Sequence, residues 1–323
     1  MQIFSKDKIY NFMGKSKYFL SISILFIVLS YAEIAVNGLN YGIDFSGGTI
    51  VQVKYEKEAP IDEIRQKISV DKMFSNATIT EFGSKEEIVI RFSSSSESVQ
   101  EDLSDKVSEL LQGTGDFEVR RVDIVGPKVG GELREKGLMA MLVSILAILL
   151  YITYRFEWRF AVASILALVH DISIALGAII LFKVDINLDI LAALLTLLGY
   201  SLNDTIIVFD RIRESVKESK SFDLKEIINF SVSKTLSRTL LTSLTTFFVI
   251  LTLFLFGGEI IHGFGLVLLV GIIVGTYSSI FVASPVLLFL KFSVEEYKSK
   301  EALKERKRIE KEKMRAQYEK GIV

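Results

Sequence analysis

The residue most able to do chemistry in this chain is an aspartate set in an apolar helix. It lies in the run Leu197-Leu198-Gly199-Tyr200-Ser201-Leu202-Asn203-Asp204-Thr205-Ile206-Ile207-Val208-Phe209-Asp210-Arg211. Asp204 comes six residues before Asp210, which puts it about 9 Å inside the helix end at ~1.5 Å per residue. A carboxylate at that depth costs roughly 2.5–3.5 kcal/mol on insertion scales, so it has to be paired, hydrated or protonated. Asn203 and Thr205 flank it with hydrogen-bonding groups. The next apolar segment offers a cation, Arg238, and a polar stripe in which Thr235, Arg238, Thr239, Thr242 and Thr246 recur at helical spacing. The two segments run antiparallel, which sets Asp204 and Arg238 at similar depth and predicts an ion pair between them. Such a pair can bind and release a proton; the plainer alternative is a buried polar contact that glues helices together. His170-Asp171 forms a second ionisable pair, near the middle of another apolar segment. It suits either a proton relay or a fixed interhelical hydrogen bond, and the spacing does not choose between them.

These residues need a membrane around them, and the sequence supplies one. Half of the 323 residues are hydrophobic and mean hydropathy is +0.40. Six apolar stretches reach or approach the ~20 residues of a spanning helix: residues 18–36, 138–154, 160–182, 188–209, 239–256 and 264–290. The apolar core of the first exceeds the ~7–15 residues of a signal peptide and no Ala-x-Ala site follows it, so it is expected to be an uncleaved anchor. Loop charge sets direction. One side carries 24 Lys and Arg, 11 of them in the tail from Lys291, whereas the short loops opposite carry only Lys183. Both termini are therefore expected in the cytoplasm (residues 1–17 and 291–323) and residues 39–137 outside. The chain has no Cys, which excludes disulfides, thiolate catalysis and Cys-bound zinc. Its two His, 170 and 262, argue against a His-based metal site.

The expected fold class is a six-helix polytopic membrane protein with an external α+β domain at 39–137. Thr49–Tyr55 and Phe117–Val125 alternate as strands do, Ile61, Ile64 and Ile68 have helical spacing, Gly83-Ser84 marks a hairpin, and Leu103, Val107, Leu110 and Leu111 share a helix face. The order β-α-β-β-α-β is that of a ferredoxin-like unit. With about six more acidic than basic residues, the domain suits neither nucleic acid nor anionic headgroups. It contains no His, so no Ser/His/Asp set, and no enzyme is expected. Gly42-Ile43-Asp44-Phe45-Ser46-Gly47-Gly48 joins it to the first span. This segment is either a tight turn using the freedom of Gly47 and Gly48 or a hinge on which the domain swings. Gly271-x-x-x-Gly275 in the last span reads as close helix packing. The tail mixes Lys, Arg and Glu as a solvated helix does.

From about Gly14 to Leu290 the chain resembles the SecF family of the bacterial SecDF protein-export complex, in the resistance-nodulation-division (RND) superfamily. The residues that carry the resemblance are Gly42 to Gly48, Val125-Gly126-Pro127-x-Val129-Gly130, His170-Asp171, Gly199 to Glu214, Ser237-Arg238-Thr239 and Gly275-Thr276-Tyr277-Ser278-Ser279. The resemblance implies an RND-type half of six spans in the bacterial inner membrane, paired with SecD into a twelve-span assembly. It further implies association with the SecYEG translocon, with YajC and the YidC insertase as companions, and with unfolded preproteins as substrate. Proton-motive force would drive late, SecA-independent movement of those preproteins. Asp204 and Arg238 would belong to the proton pathway, with Asn203, Thr205, Thr239, Thr242, His170 and Asp171 beside them. The coupling ion would be H+, with Na+ left open by the sequence, and no bound cofactor is implied. Two other functions compete: half of a proton-coupled exporter of lipids or small molecules, and a passive scaffold subunit of the translocon.

Overall fold

The computed structural model describes residues 8–71, 74, 77–92 and 100–319. Among these residues, six helices are long and apolar enough to cross a membrane: Met13–Asn37, Pro127–Arg155, Trp158–Leu181, Leu188–Glu218, Leu224–Phe256 and Ile261–Phe289. The first contains α1 (Ser16–Asn37), and the next four are α5 (Pro127–Arg155), α6 (Trp158–Leu181), α7 (Leu188–Glu218) and α8 (Leu224–Phe256). The sixth comprises α9 (Glu259–Ser278), a π-helical turn at Ser279–Ala283 and α10 (Ser284–Phe289). In the third, fourth and sixth spans half or more of the most apolar stretch is buried, against 11% in the other three. So α6, α7 and α9 make the inner layer, and α1, α5 and α8 present most of their surface to lipid or to another chain.

Small residues set how closely the inner layer packs. A Cβ on Gly271 would lie 2.4 Å from Leu197 Cδ1, and one on Gly275 would lie 3.0 Å from Ser201 Cβ, so these two glycines bring α9 against α7. Gly177 does the same for α6 against Ser30 of α1.

The α+β domain is built as the alternation predicts. Between α1 and α5 the chain forms α2 (Ile43–Ser46), β1 (Gly48–Tyr55), α3 (Ile61–Ser69), β2 (Thr78–Phe82), β3 (Ser84–Phe92), α4 (Gln100–Leu110) and β4 (Phe117–Val125). The sheet is antiparallel in the order β2-β3-β1-β4. Val51 of β1 faces Ile90 of β3 and Val122 of β4, and a bulge follows at Gln52/Val53. Val51, Val53 and Tyr55 point inward onto Ile64 and Ile68 of α3 and Leu103 and Val107 of α4, all buried. Gly83 takes φ +73° in the β2–β3 turn, where only glycine is unstrained.

Three boundaries differ from the sequence expectation. The helix of the second span starts at Pro127, not at residue 138, because Pro127 fits the first helical turn and residues 127–137 continue the helix out of the apolar zone. The fourth and fifth helices likewise extend beyond their apolar stretches, to Glu218 and back to Leu224. The last span is one continuous helix, but with a π-helical turn set into it. Pro285 has no N–H to give the preceding turn, and Ser284 Oγ bonds Ser279 O at 2.9 Å across the widened π turn. The tail forms α11 (Val294–Glu319), whose first turns dock on α7. Arg213 Nε donates to Tyr297 Oη at 3.1 Å, and Lys217 pairs with Glu301 at 2.7 Å. The Lys217 ammonium holds the Glu301 carboxyl below the usual carboxylate range.

Candidate functional site

Two buried carboxylates lie within the inner layer, on neighbouring helices. Asp204 of α7 is 1% exposed. Its Oδ2 accepts from Ser243 Oγ of α8 at 3.0 Å and from Thr276 Oγ1 of α9 at 3.3 Å. Thr276 Oγ1 is also 2.7 Å from Ser243 Oγ and 2.8 Å from Ile272 O. That hydroxyl has one proton, so it can serve only one of these acceptors at a time. No cation pairs with Asp204 among the described residues.

Asp171 of α6 is fully buried. Its Oδ1 lies 2.8 Å from His170 Nδ1. Its Oδ2 accepts from Ser278 Oγ of α9 at 2.9 Å and from Ser201 Oγ of α7. His170 Nε2 is buried without a partner among the described residues, and its ring stacks on Tyr277, centroids 6.0 Å apart. The Tyr277 hydroxyl donates to Phe19 O of α1 at 2.7 Å and receives Ser23 Oγ at 3.1 Å.

One turn of α9 links the two sites. Thr276 reaches Asp204, Tyr277 stacks on His170, and Ser278 reaches Asp171. The π turn begins at the next residue, and such turns occur where a helix is shaped for function. On α7, Ser201 and Asp204 sit three residues apart, on one face. A groove of about 640 Å³ between α8 and α9, lined by Leu240, Phe247, Ile280 and Phe281, opens onto Ser243, Thr276 and Tyr277.

The expected ion pair between Asp204 and Arg238 is not made. Arg238 is exposed, and its side chain has no partner among the described residues. Helix geometry gives the reason. Asp204 stands opposite Ser243, five residues beyond Arg238, which is about 7.5 Å further along α8. The stripe read from the sequence is in fact two. Thr235, Thr239 and Ser243, spaced by four, face inward and are buried; Arg238 and Thr242 are turned about 100° away and exposed. Thr239 Oγ1 is buried without a partner among the described residues, and Thr242 Oγ1 bonds back to Thr239 O at 2.9 Å. Thr205 is buried and bonds Ser201 O at 3.3 Å. Asn203 is exposed, on the open face of α7 with Thr196 and Gly199. Of the eight residues expected along a proton pathway, only His170 and Asp171 are therefore bonded to each other side chain to side chain. Of the partners that hold the two carboxylates, Ser201, Thr276 and Ser278 lie in segments that carry the family resemblance but were given no role there, and Ser243 lies in none of them. Ser243 was findable, since it continues the buried Thr235–Thr239 series by four.

The junction residues cluster at the other end of α7. Gly42 N donates to Ile186 O at 2.8 Å, Phe45 is buried, and Asp44 Oδ2 accepts from Leu188 N at 3.0 Å. Gly47 and Gly48 have φ +73° and +134°. A Cβ on Gly47 would lie 2.7 Å from Pro127 Cα, and one on Gly130 would lie 2.8 Å from Gly47 N. Here glycine permits both a left-handed turn and backbone contact between α2 and α5.

A model of the SecD/SecF protein export membrane protein C-terminal region matches residues 106–293, and a SecD/SecF GG motif model matches residues 34–59. The protein translocase subunit SecF of Helicobacter pylori (strain 26695) is 48% identical over 323 residues, covering 100% of each chain. The SecF of Vibrio alginolyticus is 46% identical over 291 residues, covering 90% of this chain and 92% of that one. The crystal structure of SecDF, a translocon-associated membrane protein from Thermus thermophilus, superposes with a TM-score of 0.81 at 37% identity. It covers 90% of this chain and 40% of its own, so this chain spans about two fifths of that polypeptide. A second SecDF structure, in a super-membrane-facing form, gives a TM-score of 0.66 at 37% identity, covering 92% of this chain and 40% of that one.

Proposed function

The chain belongs to the SecD/SecF protein-export family as a SecF-type subunit of the Sec protein translocation machinery, a multi-pass membrane protein, and on that premise we propose that it couples proton flow through Asp204 to preprotein export. The observation that carries the proposal is the Asp204 site itself. The carboxylate is buried between three helices, bonded by two hydroxyls and, among the described residues, unaccompanied by a cation. An ionised carboxylate there needs a counter-charge, and a proton supplies one. Movement of that proton remakes the Ser243–Thr276 hydroxyl pair, which joins α8 to α9. Asp171, held to α9 by Ser278 and next to a His whose Nε2 has no partner among the described residues, extends the path. Thr205 and Thr239, both buried, line its α7 and α8 sides, whereas Asn203 and Thr242 stand on the exposed faces of those helices. H+ is the coupling ion and no bound cofactor takes part.

The partner in this reading is SecD. The open face of α7 carries the small and polar residues Thr196, Gly199 and Asn203, and α8 exposes Arg238 and Thr242. Lipid suits these groups poorly; a second RND half suits them well. We place the acidic partner of Arg238 on that half. The pair works at SecYEG, with YajC and YidC, on unfolded preproteins in the bacterial inner membrane. The exporter reading is the weaker one, since the external domain spends its interior on its own apolar core.

Two expected results follow from this reading. A cysteine placed at exposed Ser84 of the external domain in this Cys-free chain labels with an impermeant thiol reagent in intact cells; one at Ser299 labels only after permeabilisation. The reverse pattern would put the domain in the cytoplasm and end the reading. Arg238→Ala cuts gradient-stimulated translocation into inverted membrane vesicles by about tenfold, the effect of ~1.4 kcal/mol. Arg238→Lys recovers part of it, because Lys keeps the charge and loses the planar fork. Full stimulation in Arg238→Ala, with SecD still co-purifying, removes Arg238 from the pathway.

A further inference from the structure

Besides its chain links to α1 and α5, the domain meets the membrane part at the short connection between α6 and α7. Three contacts meet there. Ile186 N donates to Asn40 O at 2.7 Å while Ile186 O accepts from Gly42 N at 2.8 Å, so the chain leaving α1 pairs with this loop as a parallel bridge. Two residues on, Leu188 N, the first of α7, donates to Asp44 Oδ2. On the domain side, Asp185 forms an ion pair with Arg91. Arg91 belongs to β3, a central strand, where it faces Ile50 of β1 and Thr78 of β2. Its backbone is therefore held on both sides.

Both anchors are themselves fixed. The short α2 that carries Asp44 is seated by buried Phe45, in one apolar cluster with Ile190 and Leu194 of α7, and by the backbone contact of Gly47 with Pro127. Asn187 caps the same helix end by accepting from Ile190 N at 3.0 Å. The first turn of α7 is thus gripped by the segment that leads into the domain and by the domain sheet. Asp204 lies on this helix 16 residues from Leu188, about 24 Å down a continuous rod. A swing at the glycine pair alone would have to break these contacts; a shift of α7 carries them along.

We propose that Asp44 and the Arg91–Asp185 pair are positioning residues that make α7 and the external domain move as one body. The functional consequence rests on the proton role proposed for Asp204: a change at that carboxylate reaches the domain through α7 and this loop. The chemistry of the link is one charged pair and one carboxylate at a helix N-terminus, both open to substitution without touching the buried site.

The test uses the complete complex with a cysteine-free SecD partner, reconstituted in liposomes. Spin labels go at Lys57→Cys in the domain and Phe256→Cys at the end of α8, both exposed. The unmodified link gives one narrow distance distribution. Asp185→Arg, which sets two cations together, widens it at least twofold, and Arg91→Asp combined with Asp185→Arg narrows it again. In the same series, gradient-stimulated translocation falls at least fivefold in Asp185→Arg and returns to at least half in the double variant. Asp44→Ala behaves like Asp185→Arg, whereas Asp44→Asn, which keeps an acceptor for Leu188 N, stays within twofold of the parent. A distribution unchanged by Asp185→Arg, or a double variant as broad as the single one, overturns the proposal. Should Asp185→Arg fail to accumulate, Asp185→Asn takes its place in the distance measurement, with partial widening expected and none overturning the link. The distances do not depend on protons. If Asp204→Asn keeps full stimulation while the distances behave as stated, the proton role falls and the link stands.

Discussion

Asp204→Asn leaves the complex assembled and removes gradient stimulation of preprotein translocation. Asparagine matches aspartate in size and still accepts from Ser243 Oγ and Thr276 Oγ1, so the packing of α7, α8 and α9 survives. What it lacks is titration. Hydrogen bonds to a charged acceptor contribute about 1.5–3 kcal/mol each, against about 0.5–1.5 for neutral ones. Gaining or losing the charge on Asp204 therefore changes its two bonds by about 2–3 kcal/mol in all. One proton crossing ~150 mV delivers about 3.5 kcal/mol. The energies match well enough for a single proton to remake the α8–α9 contact at each passage. In inverted vesicles the variant should translocate at the rate seen without a gradient. Full stimulation in Asp204→Asn would leave the passive scaffold as the better account.

Asp171→Ala acts first on stability. The carboxylate is fully buried and receives Ser201, Ser278 and His170. Truncation leaves these groups facing a void. Ser278 Oγ can fall back on Gly275 O, already 3.1 Å away, but His170 would then have neither ring nitrogen bonded among the described residues. Each stranded buried group costs about 1–3 kcal/mol, so a loss of about 3 kcal/mol is expected, read as a lowered melting temperature of the purified complex. Asp171→Asn keeps an acceptor for the hydroxyls and should melt within a few degrees of the parent. If the proton path includes Asp171, this folded variant still loses most of the gradient stimulation. Should it instead export normally, the pair is a fixed interhelical hydrogen bond, the alternative that its position in the sequence left open.

Much of the architecture can be read from the chain because bilayer and sheet impose strong periods. Six apolar stretches specify six spans, and alternation at Thr49–Tyr55 and Phe117–Val125 specifies two strands of the external sheet. The depth of Asp204 could be read in the same way, by counting from Asp210. Its partner could not. Arg238 and Thr239 are neighbours in sequence and about 100° apart on a helix, so a stripe that mixes them merges an inner face with an outer one. Charge drew attention to Arg238, while the side chain that meets Asp204 is a serine among many serines. The extra turns of α5 before residue 138 escaped because hydropathy reports the membrane and not the helix. The π turn carried a faint signal in Pro285, since a proline inside an apolar helix frees a carbonyl and asks for a local adjustment. The Arg91–Asp185 pair had no local signal at all, as its members lie 94 residues apart.

Proton movement itself tests the central claim most directly. The complex is reconstituted in liposomes that hold a pH-sensitive dye, an inward-directed proton gradient is imposed, and uptake is followed with a preprotein engaged. The parent complex should take up protons faster than protein-free liposomes, and Asp204→Asn, at equal incorporation, should return to the protein-free rate. Uptake by Asp204→Asn equal to that of the parent would contradict a proton pathway through Asp204.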